Sequence, residues 1–313
     1  MGLYNLVKLK ESLVNTVNVD DTLTDLNNLC RKLRDIKIDV TSIPEHHTGY
    51  IDNLIAAYEN IIAQTQATAN ECSQRIKLID DEISTVTREL FSNNYELETR
   101  HGSFDNVRYG RVFIPTSDVA SIVKDRINLY SNWKYPGLEI GCRDGEWTKY
   151  LVAADPLYVV DQYQEFLDST NSQFPGPYQS RLRKYILKNN DITMLPHNQF
   201  GFVFSWGFFN YVSLDTMHQF LKQLHILMRP GGVFLFTYND GDTPAGAGMA
   251  ENFAQTYMPK SILLPLCYSL GFELVADYSP STNISWLEIK KPGQLKTIKA
   301  HQALGEISKR ADL

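Results

Sequence analysis

The sequence offers little that would direct it to a membrane, a metal or a polyanion. No stretch approaches the roughly 18 consecutive apolar residues that a membrane span needs. The start, MGLYNLVKLKESLVN, is too polar for a signal peptide, and Leu6 stands where a myristoylated N-terminus wants Ser or Thr. A soluble, cytoplasmic protein is expected. Cys30, Cys72, Cys142 and Cys267 are scattered without a C-x-x-C pair, and the histidines form no ligand cluster, so neither a disulfide framework nor a metal site is expected. His46 and His47, beside Pro44 and Gly49, read as a solvated turn. Basic charge is also in deficit, with 30 Lys and Arg against 36 Asp and Glu and a net charge of -6. That balance gives no general pull toward nucleic acid or anionic lipid, and neither is an expected partner.

Apolar residues are plentiful, 43% of the 313, enough for a sizeable core, and the length suggests two domains at about 150 residues each. The first part is patterned as helix. Ile62, Thr65, Ala69, Cys72, Ile76, Ile79, Ile83, Val86 and Leu90 alternate four and three apart, a heptad seam with polar flanks. Before it, Asp20 or Asp21 reads as an N-cap for a shorter helix carrying Leu23, Leu26, Leu29, Leu33 and Ile36. Two arrangements satisfy this pattern: a hairpin within one chain, or a homo-oligomer built through the long helices, which the sustained seam favours. The helical pattern fades near Asn93 and Asn94, and Gly102, Gly110 and Pro115 mark a boundary. The expected organisation is a helical coiled-coil region over 1–100, a linker over 101–116, a second domain over 117–292 and a tail over 293–313. The tail holds Lys296, Lys299, Lys309 and Arg310 and reads as a solvated segment.

Beyond the boundary the period changes. A helix is predicted from Ser117 to about Tyr130, and strand-like runs follow at Leu138–Ile140, Leu157–Val160, Lys184–Leu187, Phe202–Ser205, Val233–Tyr238, Glu273–Tyr278 and Ser285–Lys290, separated by helical stretches. Such alternation predicts an α/β fold with a mostly parallel, doubly wound sheet. In that architecture ligands bind beyond the carboxyl ends of the strands, and the first strand usually opens the site. Here Leu138-Glu139-Ile140 runs into Gly141-Cys142-Arg143-Asp144-Gly145. Gly141 permits the bend, Gly145 permits close approach, and Glu139 is too polar for a buried strand without a partner. The run has too few glycines for the G-x-G-x-x-G dinucleotide fingerprint, which disfavours NAD.

The pattern E-x-G-x-x-x-G instead resembles the first motif of the class I S-adenosylmethionine-dependent methyltransferases, with Arg143 where the middle glycine often stands. "LYVVDQ", "ILKNNDITMLP", "FGFVFSWGFFNYV" and "LHILMRPGGVFLFTYND" resemble the later motifs of that family in order, and the likeness covers about residues 115 to 291. The resemblance implies a Rossmann-like seven-stranded sheet ordered 3-2-1-4-5-7-6 and S-adenosylmethionine as cofactor. It also implies cofactor contacts from Glu139, Gly141, Cys142, Gly145, Asp161, Gln162, Asp191, Ile192 and Ser205. Asp161, twenty-two residues after Glu139, would hold the ribose hydroxyls. Asp191 would accept from the adenine amine, or alternatively cap a turn, and Ile192 would pack on the ring.

Methyl transfer from a sulfonium needs alignment and, for many acceptors, removal of a proton. Asp240 and Tyr211 are the candidate catalytic residues, and Asp240 with Asp242 in "YNDGDTP" reads equally well as turn chemistry. The aromatic residues Trp206, Phe208, Phe209 and Tyr211 read as core or lid. The expected function is methyl transfer to an oxygen or nitrogen of a small molecule, sugar or protein. The alternative is a non-catalytic structural or assembly protein, for example a virion-associated particle component, using the same domain as a binding module.

Overall fold

The structure, a computed structural model, describes residues 2–17, 20–38, 45–103, 116–278 and 284–295. The linker residues 104–115 and the tail cations Lys296, Lys299, Lys309 and Arg310 lie outside the described residues. The chain divides into two compact units, Met1–Leu90 and Phe91–Leu313.

In the first unit three helices follow one another: α1 (Leu3–Val17), α2 (Asp20–Ile38) and the 59-residue α3 (Glu45–Ser103), whose last turns belong to the second unit. α1 was not foreseen, although Leu3, Leu6 and Val7 sit at helical spacing and are buried. Lys10 of α1 pairs with Asp80 of α3 at 2.6 Å, and Arg34 of α2 pairs with Glu59. These pairs put both short helices against the long one, as the hairpin arrangement requires. Of the heptad seam, Ile79 and Leu90 are buried and the rest is half-covered. The turn expected at His46 and His47 is instead the first turn of α3, which also runs past Asn94, because Glu, Leu, Thr and Arg in "ELETR" are compatible with helix.

In the second unit α4 (Ser117–Tyr130) leads into a seven-stranded sheet: β1 (Gly137–Ile140), β2 (Leu157–Asp161), β3 (Arg183–Ile186), β4 (Phe200–Ser205), β5 (Met228–Tyr238), β6 (Glu273–Asp277) and β7 (Ser285–Lys290). Helices α5 (Gln164–Ser172), α6 (Gly176–Gln179), α7 (Leu214–Leu227), α8 (Pro244–Glu251) and α9 (Lys260–Ser269) connect them. The order is β3-β2-β1-β4-β5-β7-β6, as expected. The pairs from β3 to β5 are parallel, and β7 runs antiparallel to both β5 and β6.

Side chains alternate between two cores with the period of two that a sheet imposes. Leu138, Ile140, Val203, Phe234, Phe236, Leu287 and Ile289 pack with Phe220, Leu224 and Leu263 of α7 and α9. Phe202, Phe204, Leu235 and Trp286 face the other way, with Val123 and Ile127 of α4. Glu139 and Glu288 each fall between residues of the first core, so both carboxyls enter the α4 side. Glu288 is buried completely, and the Arg126 guanidinium grips it with two bonds, Nε to Oε1 at 2.7 Å and Nη2 to Oε2 at 2.6 Å. Tyr130 Oη donates a third, at 2.9 Å. The bidentate fork draws α4 onto β7.

Arg126→Met removes the only guanidinium in that set and leaves a desolvated carboxylate. Stability measured by denaturant unfolding is expected to drop by about 3–5 kcal/mol, whereas Arg126→Met combined with Glu288→Leu should recover most of that loss.

Candidate active site

Strand β1 sits between β2 and β4, so the turn after it opens where the strand order reverses. Gly141 N donates to the Val160 carbonyl at 2.8 Å, which holds the turn to the end of β2. Gly141, Arg143 and Gly145 all have left-handed backbones, with φ of 74°, 52° and 82°. Only glycine enters that region freely; Arg143 does so at a cost of about 1–2 kcal/mol. Space is as tight as the torsions. A Cβ on Gly141 would stand 2.8 Å from the Cβ of Phe208, the third residue after β4, and one on Gly145 would stand 3.1 Å from Thr170 Cα on α5.

The strained residue at 143 directs its backbone N–H to Asp161 Oδ2 at 3.0 Å, while Tyr163 N donates to Oδ1 at 3.2 Å. Asp161 is 5% exposed. Burial raises its pKa, and the N–H donors of Arg143 and Tyr163 oppose that rise by favouring the anion. The acid at the end of β2 and the turn at the end of β1 are thus one hydrogen-bonded unit.

The other expected site residues separate into two groups. Glu139, Cys142, Gly145, Ile192, Ser205 and Asp240 are buried and bound within the protein. Glu139 Oε2 accepts from Thr148 Oγ1 at 2.6 Å, and burial pushes the Glu139 carboxyl up to about 8. Burial also keeps the Cys142 thiol protonated, well above its ordinary range. Ser205 Oγ donates to the Ile140 carbonyl at 2.8 Å, tying β4 to the end of β1.

Ile192 lies wholly within the first core and gives its N–H to Gln223 Oε1 at 2.6 Å. Asp240, 1% exposed, accepts from the backbone N–H of Asp242 and of Lys260 at 3.1 and 3.0 Å. Asp242 takes Ser261 N at 2.7 Å, so the pair caps the start of α9, the turn chemistry that "YNDGDTP" allowed. Burial raises the Asp240 pKa.

The second group reaches solvent: Gly141, Arg143, Gln162, Asp191, Phe208 and Tyr211 are partly or fully exposed. Asp191 closes a two-residue turn. Asn189 and Asn190 have φ of 53° and 56°, and Asp191 N donates to the Lys188 carbonyl at 3.0 Å, the hairpin geometry that favours asparagine. Its carboxylate accepts from Thr193 N and Oγ1 at 2.8 and 2.7 Å, which lowers its pKa. Thr148, Thr170 and Gln223 were not foreseen. Their hydroxyls and amide meet the site from other elements, and no spacing in the sequence announces them. Gly201, where the related motif often has Asp, leaves room for Tyr135, whose Cβ lies 2.7 Å from where a Cβ would be.

Residues 138–234 match a family model described as a methyltransferase domain. A search of curated protein sequences finds no match. Among solved structures, an S-adenosylmethionine-dependent methyltransferase from Mesorhizobium loti is 11% identical, with 51% of this chain and 92% of that chain covered and a TM-score of 0.43. Geranyl diphosphate C-methyltransferase from Streptomyces coelicolor A3(2) is 9% identical, covering 55% and 80% at 0.46. The [4+2]-cyclase SpnF is 14% identical, covering 56% and 82% at 0.45. The matched stretch contains the turn at Gly141, Asp161 and the strands from β1 into β5. The sheet is Rossmann-like in its strand order, and over this stretch the chain is similar to a methyltransferase domain. No helix among the described residues is long and apolar enough to cross a membrane.

The raised Glu139 carboxyl has a measurable consequence. Unfolded, a glutamate titrates near 4.3; folded, this one titrates near 8. The unfolded chain therefore releases its proton first, so stability from neutral Glu139 is complete below the unfolded value and is lost as pH rises toward 8. The difference in unfolding free energy between wild type and Glu139→Gln, followed across pH 4 to 9, is expected to move in favour of the variant as pH rises. A difference that stays constant over this window would contradict a neutral Glu139.

Proposed function

We propose that this domain transfers the methyl group of S-adenosylmethionine to an oxygen or nitrogen of a small molecule, a sugar or a protein. The observation that carries the reading is the joined pair at the switch point, a left-handed turn without side chain at Gly141 and a buried carboxylate at Asp161 bonded to that turn. The residues present fit the group. Gly141 leaves its backbone uncovered, and the Asp161 carboxyl, held by backbone N–H groups of Arg143, Tyr163 and Gln162, keeps acceptor capacity for a ligand hydroxyl. Gln162 and Asp191, both exposed, complete the candidate cofactor contacts. Glu139, Cys142, Gly145, Ile192 and Ser205 support them from behind.

When bound, the sulfonium supplies an electrophilic methyl group and a neutral thioether leaving group. The chain's part is to orient the acceptor, exclude water and take up the acceptor's proton where it has one. Tyr211, half-exposed in the turn after β4, suits contact with the acceptor. Asp240 suits the same edge of the sheet but is already engaged by the start of α9, which favours an anchoring part for it. For the first unit we propose self-association along α3. From Asn60 to Asn70 that helix carries no charge, and Ile61 and Leu78 are exposed, the latter at 69%.

Calorimetric titration with S-adenosylmethionine and its demethylated product is expected to show binding. Asp161→Ala should weaken it by at least about tenfold, the loss of charge-assisted bonds worth roughly 1.5–3 kcal/mol. Unchanged affinity would remove Asp161 from the site. Light scattering of the full chain is expected to give a mass of at least two chains, and a one-chain mass would end the self-association reading.

A further inference from the structure

The last turns of α3, from Phe91, belong to the same compact unit as the sheet, and one side chain there is buried and polar. Asn94 donates its Nδ2 to the Tyr257 carbonyl and accepts the Tyr257 N–H on Oδ1, both at 3.0 Å. One amide thus satisfies both backbone groups of a single residue, as a neighbouring strand would. Phe91, one helical turn earlier, meets the Tyr257 ring edge-on at 5.2 Å between centroids. The ring also fills the space beside Gly241, where an added Cβ would lie 2.3 Å from a ring carbon.

Tyr257 ends a strap, Gln255-Thr256-Tyr257, that joins the two turns beyond β4 and β5. Thr256 N and Oγ1 both donate to the Asn210 carbonyl at 3.0 Å. Gln255 Oε1 accepts from Asn210 Nδ2 at 3.0 Å. Asn239, after β5, donates to the Thr256 carbonyl at 2.9 Å. Asn210 belongs to the turn that carries Phe208 and Tyr211, and Phe208 is the residue pressed on Gly141. Yet Asn210 Oδ1, fully buried, has no hydrogen-bond partner among the described residues. A buried network with an acceptor left unmet does not by itself fix one geometry. The strap supplies the fixing bonds, and Asn94 holds the strap.

Resting on the methyltransferase reading above, we propose that Asn94 is a positioning residue for the active site. It holds the strap 255–257, and through Asn210 it sets the turn 206–211 that faces the cofactor turn at Gly141. The requirement is specific to an amide of this length. An aspartate in its ionised form has no donor for the Tyr257 carbonyl, and glutamine is one methylene longer.

The test combines hydrogen exchange with calorimetry on the full chain. In Asn94→Ala and Asn94→Asp the amides of 206–211 are expected to exchange roughly tenfold faster or more, the scale of one lost hydrogen bond, while those of β1 and the core of β4 keep their wild-type rates. Affinity for the demethylated cofactor product should fall several-fold. A lower melting temperature with wild-type exchange at 206–211 would overturn the proposal, since a purely structural asparagine predicts that outcome. If wild type itself does not bind the cofactor product, the methyltransferase reading fails, and the exchange data still decide the role of Asn94. If neither variant folds, Gly241→Ala presses on the Tyr257 ring directly and displaces the strap without touching Asn94. Faster exchange at 206–211 supports the strap's role there, and wild-type exchange refutes it.

Discussion

The hydrogen bond from the Arg143 backbone N–H to the Asp161 carboxylate is the constraint on which the site depends. It crosses from the turn after β1 to the end of β2, within a turn whose residues 141, 143 and 145 are all left-handed. Arg143 carries the conformational cost of that path, and the bond to a buried anion offsets it. The bond is made by the backbone of residue 143, so a residue other than glycine can stand at the centre of the turn. What matters is the direction of one N–H.

The two faces of the sheet treat polarity differently. The α7 and α9 side is apolar, whereas the α4 side accepts two buried acids from central strands. They are handled by separate means. Glu288 stays paired with Arg126 and Tyr130, a strong tie between α4 and β7. Glu139 has only the Thr148 hydroxyl, and burial keeps its proton on. Glu139 is thus a neutral carboxyl on the strand that leads into the turn, while the Asp161 carboxyl at the end of the next strand accepts the turn's N–H.

Motif positions that look alike in sequence perform different work in space. Gly141, Gln162, Asp191 and Tyr211 reach solvent, while Cys142, Gly145, Ile192, Ser205 and Asp240 are buried. The first kind is open to solvent. The second keeps strand ends and turns at fixed separations, as Ser205 does by binding the Ile140 carbonyl. Alternation of apolar residues revealed the strands, and ordered motif likeness gave their arrangement, including the antiparallel β7 between β5 and β6. Neither could tell exposed positions from buried ones, because exposure depends on what packs above a residue.

Local chemistry was legible wherever the cause is local. The glycine turn after Leu138-Glu139-Ile140, the heptad spacing of α3 and the acid ending "LYVVD" follow from torsional freedom, helical period and strand polarity within a few residues. The helix over Leu3–Val17 was equally local and was passed over. Tertiary structure alone decided the partners: Thr148 for Glu139, Gln223 for Ile192, the start of α9 for Asp240 and Asp242, Tyr257 for Asn94. Each pairing joins groups 9 to 163 residues apart. A hydrogen bond needs donor and acceptor within about 3 Å, and for groups so separated that closeness is set by the packing of whole elements, which no spacing along the chain records.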